Sequence, residues 1–169
     1  MAQYFGPKGR MFEGGETTPS DLFKEWDVKG AIAATMDGTQ VDLFSTLTSG
    51  GTILPIFPDT TEGLEILRHS ASHLMAQAIL RLYPGAKFGV GPAIKDGFYY
   101  DVLFPTPLSD EDLPKIEAEM RKIAKEKLRV ERLDMTAAEA LERFHDDPFK
   151  VELINDIGAE HVSLYGQGE

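Results

Sequence analysis

Short strand-like runs separated by turn residues fill most of the first sixty positions. Residues 31–36 and 40–43 are mostly apolar and flank Asp37-Gly38, a dipeptide that favours a tight hairpin turn. A second pair of short extended stretches flanks Gly9-Arg10, and residues 53–57 form a last apolar run. The pattern therefore predicts two hairpins followed by a closing strand.

One helical run lies between the two hairpins. Residues 21–26 (Asp-Leu-Phe-Lys-Glu-Trp) predict a helix, for which Ser20 is a reasonable N-cap. Hairpin, helix, hairpin and closing strand, in this order, fit a ubiquitin-like β-grasp. We therefore expect a first domain of this kind over residues 1–60.

The hydrophobic pattern changes to a helical period after the polar, proline-containing segment 58–62, so we expect a second domain over residues 61–169. Its first helix has Thr60 or Thr61 as N-cap and ends at Tyr83-Pro84-Gly85. Advancing 100° per residue gathers apolar side chains on one face, which predicts the core stripe of this helix. The stripe comprises Leu64, Leu67, Ala71, Leu74, Ala78 and Leu82.

The remaining pattern mixes strands and helices. Residues 87–94 and 98–104 bracket a turn at 95–97 and predict a hairpin beside the first helix. The further expected elements are a helix opened by 109–112, a strand at 128–133, a capping box at 136–139, a helix begun by Pro148 and a strand at 161–165. Pro114 leaves the start of the long helix open. The predicted class is α+β, and in the second domain we expect the first, long helix to pack on an antiparallel sheet.

Two histidines stand four residues apart in that helix, at His69 and His73. Positions i and i+4 project from one helix face, so both imidazoles can converge on one water, ester or metal ion. They lie off the predicted core stripe, on a side that also carries Ile66, Ala76 and Leu80. Such a mixed face suits the wall of a groove, although paired histidines also occur as ordinary surface residues.

Composition narrows the chemistry and the partners. There is no cysteine, so thiolate metal sites and cysteine nucleophiles are excluded for this chain. Its 17 basic and 28 acidic residues give a net charge of −11, which disfavours tight nucleic-acid binding by the chain alone. The basic run 115–132 is interpreted as a solvated helix face.

The N-terminal residues and the hydropathy of the chain indicate where in the cell the protein is expected. Residues 1–8 lack the pattern of a basic segment followed by an apolar one that marks a signal peptide. No apolar run approaches the roughly 20 residues that a membrane span needs. We expect a cytoplasmic protein without a membrane partner.

Several short motifs follow one another along the chain: His69-Ser70-Ala71-Ser72-His73-Leu74, Arg81-Leu82-Tyr83-Pro84, Gly91-Pro92, Gly97-Phe98-Tyr99-Tyr100-Asp101, Pro148-Phe149-Lys150 and Leu164-Tyr165. Together they resemble the N-terminal region of bacterial-type threonyl-tRNA synthetase. Their order is kept over almost the entire chain. The resemblance implies a ubiquitin-like TGS domain followed by an α+β editing domain that hydrolyses serine wrongly attached to threonine tRNA.

The same resemblance implies roles for six residues. His69 and His73 would line the pocket for the mischarged 3′ end and position the hydrolytic water, with Lys150 as a further catalytic group. The implied substrate-binding residues are Tyr100, Tyr165 and Gly91. Three of the six also have a structural interpretation: Lys150 as a solvated lysine, Tyr100 as a core tyrosine of the hairpin, and Tyr165 as a packing residue of a terminal strand.

The resemblance also implies the partners and the cofactors. In the family, the pattern continues past residue 169 into an Asp-x-Cys-x-Gly-Pro-His stretch, so we expect an editing domain that is incomplete at its C-terminus. The expected partners are threonine tRNA carrying serine at its 3′ end and the remainder of the synthetase. No cofactor is expected in this chain, because ATP and zinc belong to the catalytic domain of the parent enzyme.

Two other classes of function stay open. A zinc hydrolase would also use two histidines on a helix, but Ser70 stands where a metalloprotease has its glutamate, and the chain has no cysteine ligand. A noncatalytic RNA- or protein-interaction module is the stronger alternative, because β-grasp units commonly bind partners. Hydrolysis of a mischarged tRNA would separate these classes from a proofreading enzyme.

Overall fold

A computed structural model of the chain describes residues 1–128 and 130–167. The chain forms two compact units, Met1–Leu67 and Arg68–Glu169. Helices and strands are mixed in the described residues, which is compatible with the predicted α+β class. Whether 1–60 and 61–169 fold as separate domains stays a prediction.

The first unit is built around a five-stranded mixed sheet. Its strands are β1 (Ala2–Phe5), β2 (Met11–Gly14), β3 (Ala33–Met36), β4 (Thr39–Val41) and β5 (Gly51–Ile56), and their order in the sheet is β2-β1-β5-β3-β4. The central pair β1 and β5 runs parallel, while the other pairs are antiparallel. Both predicted hairpins and the closing strand are confirmed.

The turn between β3 and β4 shows why the sequence signal is reliable. Asp37 has φ 49° and Gly38 has φ 84°, the left-handed backbone that a two-residue hairpin of type I′ requires at both positions. The Asp37 Oδ1 atom also accepts a hydrogen bond of 2.8 Å from the backbone N–H of Thr52 in β5. The aspartate thus ties the hairpin turn to the neighbouring strand.

The helix of this unit, α1 (Pro19–Glu25), begins earlier than expected. Thr18 is its N-cap, with Oγ1 accepting a 3.1 Å hydrogen bond from the N–H of Asp21, so the prediction of Ser20 was wrong. The reason is Pro19, whose fixed φ and missing N–H suit the first helical position. The core beneath the helix comprises Tyr4, Leu22, Phe23, Trp26, Ala34, Leu47 and Ile53.

The long helix α2 (Thr61–Leu82) contains the boundary between the two units. Thr60 is its cap, because Thr60 Oγ1 accepts a 3.0 Å hydrogen bond from the N–H of Gly63. Gly63 itself lies against the carbonyl of Phe57, where an added Cβ would overlap the backbone. One of the two predicted caps is therefore confirmed.

The second unit combines helices with two-stranded antiparallel ladders. Its helices after α2 are α3 (Leu113–Glu126), α4 (Ala137–Arg143) and α5 (Pro148–Ile157). The strands are β6 (Lys87–Phe88), β7 (Ala93–Ile94), β8 (Gly97–Phe98), β9 (Val102–Leu103), β10 (Val130–Thr136) and β11 (His161–Gln167). The pairs β6/β9 and β7/β8 form the predicted hairpin, and β10 pairs with β11. The capping box at Thr136 and the helix start at Pro148 are confirmed.

The predicted core stripe of α2 was partly wrong. Leu64, Leu67 and Leu82 are 41%, 41% and 37% exposed, whereas Ser72 and Ile79 are buried. The buried side of the helix is turned toward Ser72 and Ile79, because the β6/β9 hairpin and α3 pack there. Among the described residues, no helix has both the length and the hydropathy needed to cross a bilayer.

Candidate functional site

The i, i+4 spacing on α2 brings the two imidazoles into contact. Nε2 of His73 lies 3.0 Å from Nε2 of His69, and the ring centroids are 4.5 Å apart with an edge-on angle of 73°. At this distance the two nitrogens share a hydrogen bond, in which one carries the proton and the other accepts it. The pair therefore holds at least one proton at a fixed position.

The environment favours the neutral form of His73. His73 is half-buried, whereas His69 is exposed. Burial lowers the pKa of His73 below its ordinary value of 6.5, and the charges of His69 and Lys150 lower it further. A neutral imidazole at pH 7 is able to accept a proton, which is what a general base must do.

Ser72 is a buried polar residue between the two histidines. It is 2% exposed, and its hydroxyl donates a 2.7 Å hydrogen bond to the backbone carbonyl of His69. A serine hydroxyl inside a helix can donate its hydrogen bond to a backbone carbonyl of the preceding turn. The buried serine can thus face the core without an unpaired polar group, while its neighbour His73 faces the site.

Lys150 comes to this site from a different helix. It is the third residue of α5, whose N-cap Asp147 accepts hydrogen bonds at Oδ1 from the N–H groups of Phe149 (3.2 Å) and Lys150 (3.4 Å). The Lys150 Nζ atom lies 5.9 Å from the centroid of the Phe144 ring. Its positive charge contributes to lowering the pKa of His73.

Tyr100 and Gly91 lie together in the hairpin. The Tyr100 ring is half-buried and lies 5.1 Å from the Phe88 ring, and it packs against the core that includes α2 and α3. An added Cβ on Gly91 would overlap the Tyr100 ring. Burial raises the pKa of Tyr100, so its hydroxyl stays protonated and able to donate at neutral pH.

Tyr165 lies on the β10/β11 ladder, with its backbone in register with Arg132. Its side chain is 45% exposed, on the strand face opposite to the buried Val162. Tyr165 thus belongs to a different element from the histidines, the lysine and Tyr100.

A cluster of charges fixes the far end of α2 against α3. Arg81 makes a two-pronged ion pair with Glu126, with both N–O distances 2.8 Å, and a further contact of 3.2 Å with Glu119. The hydrogen bonds from Arg81 lower the pKa of Glu126. This clamp orients the helix that carries the histidines.

Two residues near the site escaped the sequence analysis. Phe144 ends α4 six positions before Lys150, and Ser72 lies between the histidines. Asp147 directly before Pro148 was a visible signal for a capped helix, but nothing in the sequence indicates that the ring of Phe144 meets the lysine. Within the described part of the chain, no group of three or more His, Asp or Glu side chains is arranged to hold a metal ion.

We compared the chain with protein-family models and with curated proteins. No protein-family model matches the chain. It is 50% identical to a threonine–tRNA ligase of Citrifermentans bemidjiense over 143 residues and 50% identical to that of Anoxybacillus flavithermus over 144, in each case over 83% of this chain and 22% of the relative. The threonine–tRNA ligase of Halalkalibacterium halodurans is 49% identical over 146 residues, again 83% of this chain and 23% of the relative.

These relatives are aminoacyl-tRNA synthetases. The particular enzyme is the same in each case, threonine–tRNA ligase, and the resemblance to the N-terminal region of bacterial-type threonyl-tRNA synthetase is thereby confirmed. The chain spans about a fifth of the length of the curated relatives that it matches.

Proposed function

We propose that this chain is the N-terminal part of a threonine–tRNA ligase and that its second unit removes serine wrongly attached to threonine tRNA. The observation that carries the proposal is the contact between His69 and His73, with the charge of Lys150 acting on His73. Its partners are then the 3′ end of the mischarged tRNA and the remainder of the synthetase, in the cytoplasm. The identity to threonine–tRNA ligases supports this choice of substrate.

The proposed reaction is hydrolysis of an ester that is already activated. It needs a positioned water, a group that accepts a proton near neutral pH and a donor or cation for the developing oxyanion. In the tautomer in which His73 Nε2–H donates to Nε2 of His69, the ring is oriented by that bond and Nδ1 of neutral His73 is free to accept the proton of the attacking water, whose oxygen bonds to the carbonyl carbon. When the tetrahedral intermediate collapses, the bond between this carbon and the ribose oxygen breaks, and His73 returns the proton to the leaving oxygen. The ammonium of Lys150 stabilises the oxyanion as the carbonyl carbon becomes tetrahedral.

Tyr100 and Gly91 form part of the proposed substrate pocket. The protonated Tyr100 hydroxyl is suited to hold an oxygen of the substrate, and Gly91 leaves room for its ring. Tyr165 is proposed as a further binding residue by the family resemblance. Threonine differs from serine by one methyl group, which selective binding alone distinguishes by only ~1–3 kcal/mol, so a separate hydrolytic step improves the accuracy of charging.

We propose further that the first unit is a TGS-type β-grasp domain. The strand order β2-β1-β5-β3-β4, with a parallel central pair and α1 packed on one face, supports this assignment. The proposed hydrolysis requires no cofactor, because the ester supplies its own leaving group and the named side chains handle the proton. A chelator should therefore leave the rate unchanged.

A graft tests the proposal. This chain replaces the matched segment of the Anoxybacillus flavithermus enzyme, and hydrolysis of seryl-tRNA and threonyl-tRNA of the threonine type is followed with and without EDTA. The graft should release serine much faster than threonine. His73→Ala should slow serine release at least ~100-fold, the usual minimum for losing a general base.

The matched control removes another histidine. His145 is exposed, and its ring lies against the Glu142 carbonyl and Asp146 rather than the histidine pair. His145→Ala should leave the rate of serine release unchanged. Equal rates for His73→Ala and the unsubstituted graft would reject the catalytic assignment. Retained tRNA binding without any hydrolysis would favour the noncatalytic interaction module.

A further inference from the structure

The position of Lys150 is electrostatically unfavourable. It is the third residue of α5, in the first turn that Asp147 caps, where the helix dipole disfavours a positive charge. Its charge also disfavours the protonated form of His73. A lysine side chain is flexible and strongly hydrated, so without a partner it would turn away into solvent.

The ring of Phe144 supplies such a partner. The Lys150 Nζ atom lies 5.9 Å from the ring centroid, within the range of a cation–π contact. Phe144 is half-buried and packs against the small core of Ala140, Ile154 and Val162. The ring is thus anchored on one side and meets the ammonium on the other.

The turn between α4 and α5 keeps the Phe144 ring close to the Lys150 ammonium. The N–H of Asp147 donates a 2.8 Å hydrogen bond to the carbonyl of Phe144, and the same aspartate caps the helix that carries Lys150. The Lys87 ammonium donates a 2.9 Å hydrogen bond to the carbonyl of Asp146 and ties the turn to β6. Three independent contacts therefore fix the backbone from 144 to 150.

We propose that Phe144 is a positioning residue, whose ring holds the Lys150 ammonium toward His73 rather than toward solvent. The proposal rests on the proposed function only for the chemical role of Lys150 in hydrolysis. The placement of the ammonium is a property of the free chain.

The test is the titration of His73 by NMR in the 169-residue chain, which has only four histidines to assign. Lys150→Met should raise the titration midpoint of His73, because a like charge has been removed. Phe144→Leu keeps an apolar side chain but removes the ring, and it should give at least about half of that upward shift. Phe144→Tyr keeps the ring and should leave the midpoint unchanged.

A double variant separates positioning from general damage. In the Lys150→Met background, Phe144→Leu should produce no further shift of His73, since the ammonium it would release is absent. A further shift there, or an unchanged midpoint in Phe144→Leu alone, would overturn the proposal. If Phe144→Leu does not fold, nuclear Overhauser contacts between the Lys150 ε-methylene and the Phe144 ring protons in the unsubstituted chain decide, and their absence overturns it.

Loss of hydrolysis is a separate readout. In the graft, Phe144→Leu should slow release of serine and Phe144→Tyr should restore it. Should the graft hydrolyse nothing at all, the proposed function fails, but the titration of His73 still tests the placement of Lys150.

Discussion

The two compact units bury their apolar residues in different ways. In the first, one cluster lies under a five-stranded sheet, and Tyr4, Leu22, Ala34 and Ile53 are completely inaccessible to solvent. In the second, a cluster around Ile123 is separate from a smaller one around Ala140, and the strands pair only in twos.

Polar contacts supplement the divided core of the second unit. Arg81 joins α2 to α3, and the Lys87 ammonium joins β6 to the turn before α5. Elements held in this way leave titratable side chains half-buried at their edges, as His73 and Lys150 are. The first unit, with its single core, contains none of the six candidate site residues, whereas the second unit, with its divided core, contains all of them.

The largest expected effect is in the core of the first unit. Tyr4 is fully buried, and its hydroxyl donates a 3.0 Å hydrogen bond to the carbonyl of Leu47. Tyr4→Ala should lower the free energy of unfolding by about 3–5 kcal/mol, because it leaves a cavity and an unpaired carbonyl. Tyr4→Phe should cost only about 1 kcal/mol. Chemical denaturation, with amide exchange of β1 and β5 as the local probe, measures both variants.

Gly91 tests how tightly the hairpin of the second unit is packed. Gly91→Ala would push a methyl group into the Tyr100 ring and should cost about 1–3 kcal/mol. Gly166→Ala in β11 is the matched control, because an added Cβ there meets no described atom within 4 Å. Thermal unfolding measures the loss of stability in both variants. Equal losses would mean that contact with the Tyr100 ring is not the reason why position 91 requires glycine.

Loss of one helix cap should lower the free energy of unfolding by a similar amount in the two units. Thr18 Oγ1 accepts a hydrogen bond from Asp21 N–H in the first unit, and Thr136 Oγ1 accepts one from Glu139 N–H in the second. Thr18→Ala and Thr136→Ala should each cost about 1 kcal/mol, because each leaves one N–H of a first helical turn unpaired. Denaturant titrations of both variants give the comparison. A clear inequality would mean that the units differ in local as well as in core stability.

The smallest expected effect is the pH dependence that His73 adds. The pKa of His73 in the folded chain lies below the ordinary value of 6.5, which applies to the unfolded chain. Between these two pKa values the unfolded chain binds more protons than the folded chain. The free energy of unfolding therefore falls as the pH is lowered through 6.5 toward the folded pKa. His73→Ala should therefore lose less stability than the unsubstituted chain between about pH 7.5 and pH 5.5. Paired thermal melts at the two pH values test this. Parallel losses in the two proteins would mean that burial of His73 does not affect folding.

Local signals in the sequence determined most of the helices and strands. Asp37-Gly38 specified a hairpin turn, Thr60 and Thr136 specified helix starts, and the spacing of His69 and His73 specified two imidazoles on one face. Each signal acts over at most four residues, where the backbone geometry of turns and helices leaves few alternatives.

Tertiary structure decided which faces are buried and which distant residues meet. The leucines of α2 were expected in the core, but Leu64 and Leu67 are exposed, because burial depends on where the hairpin and α3 pack. The contact of the Lys150 ammonium with the Phe144 ring likewise depends on how α5 packs against the end of α4. Such contacts are set by side-chain packing between elements far apart in the chain, so neither the period nor the spacing of residues contains them.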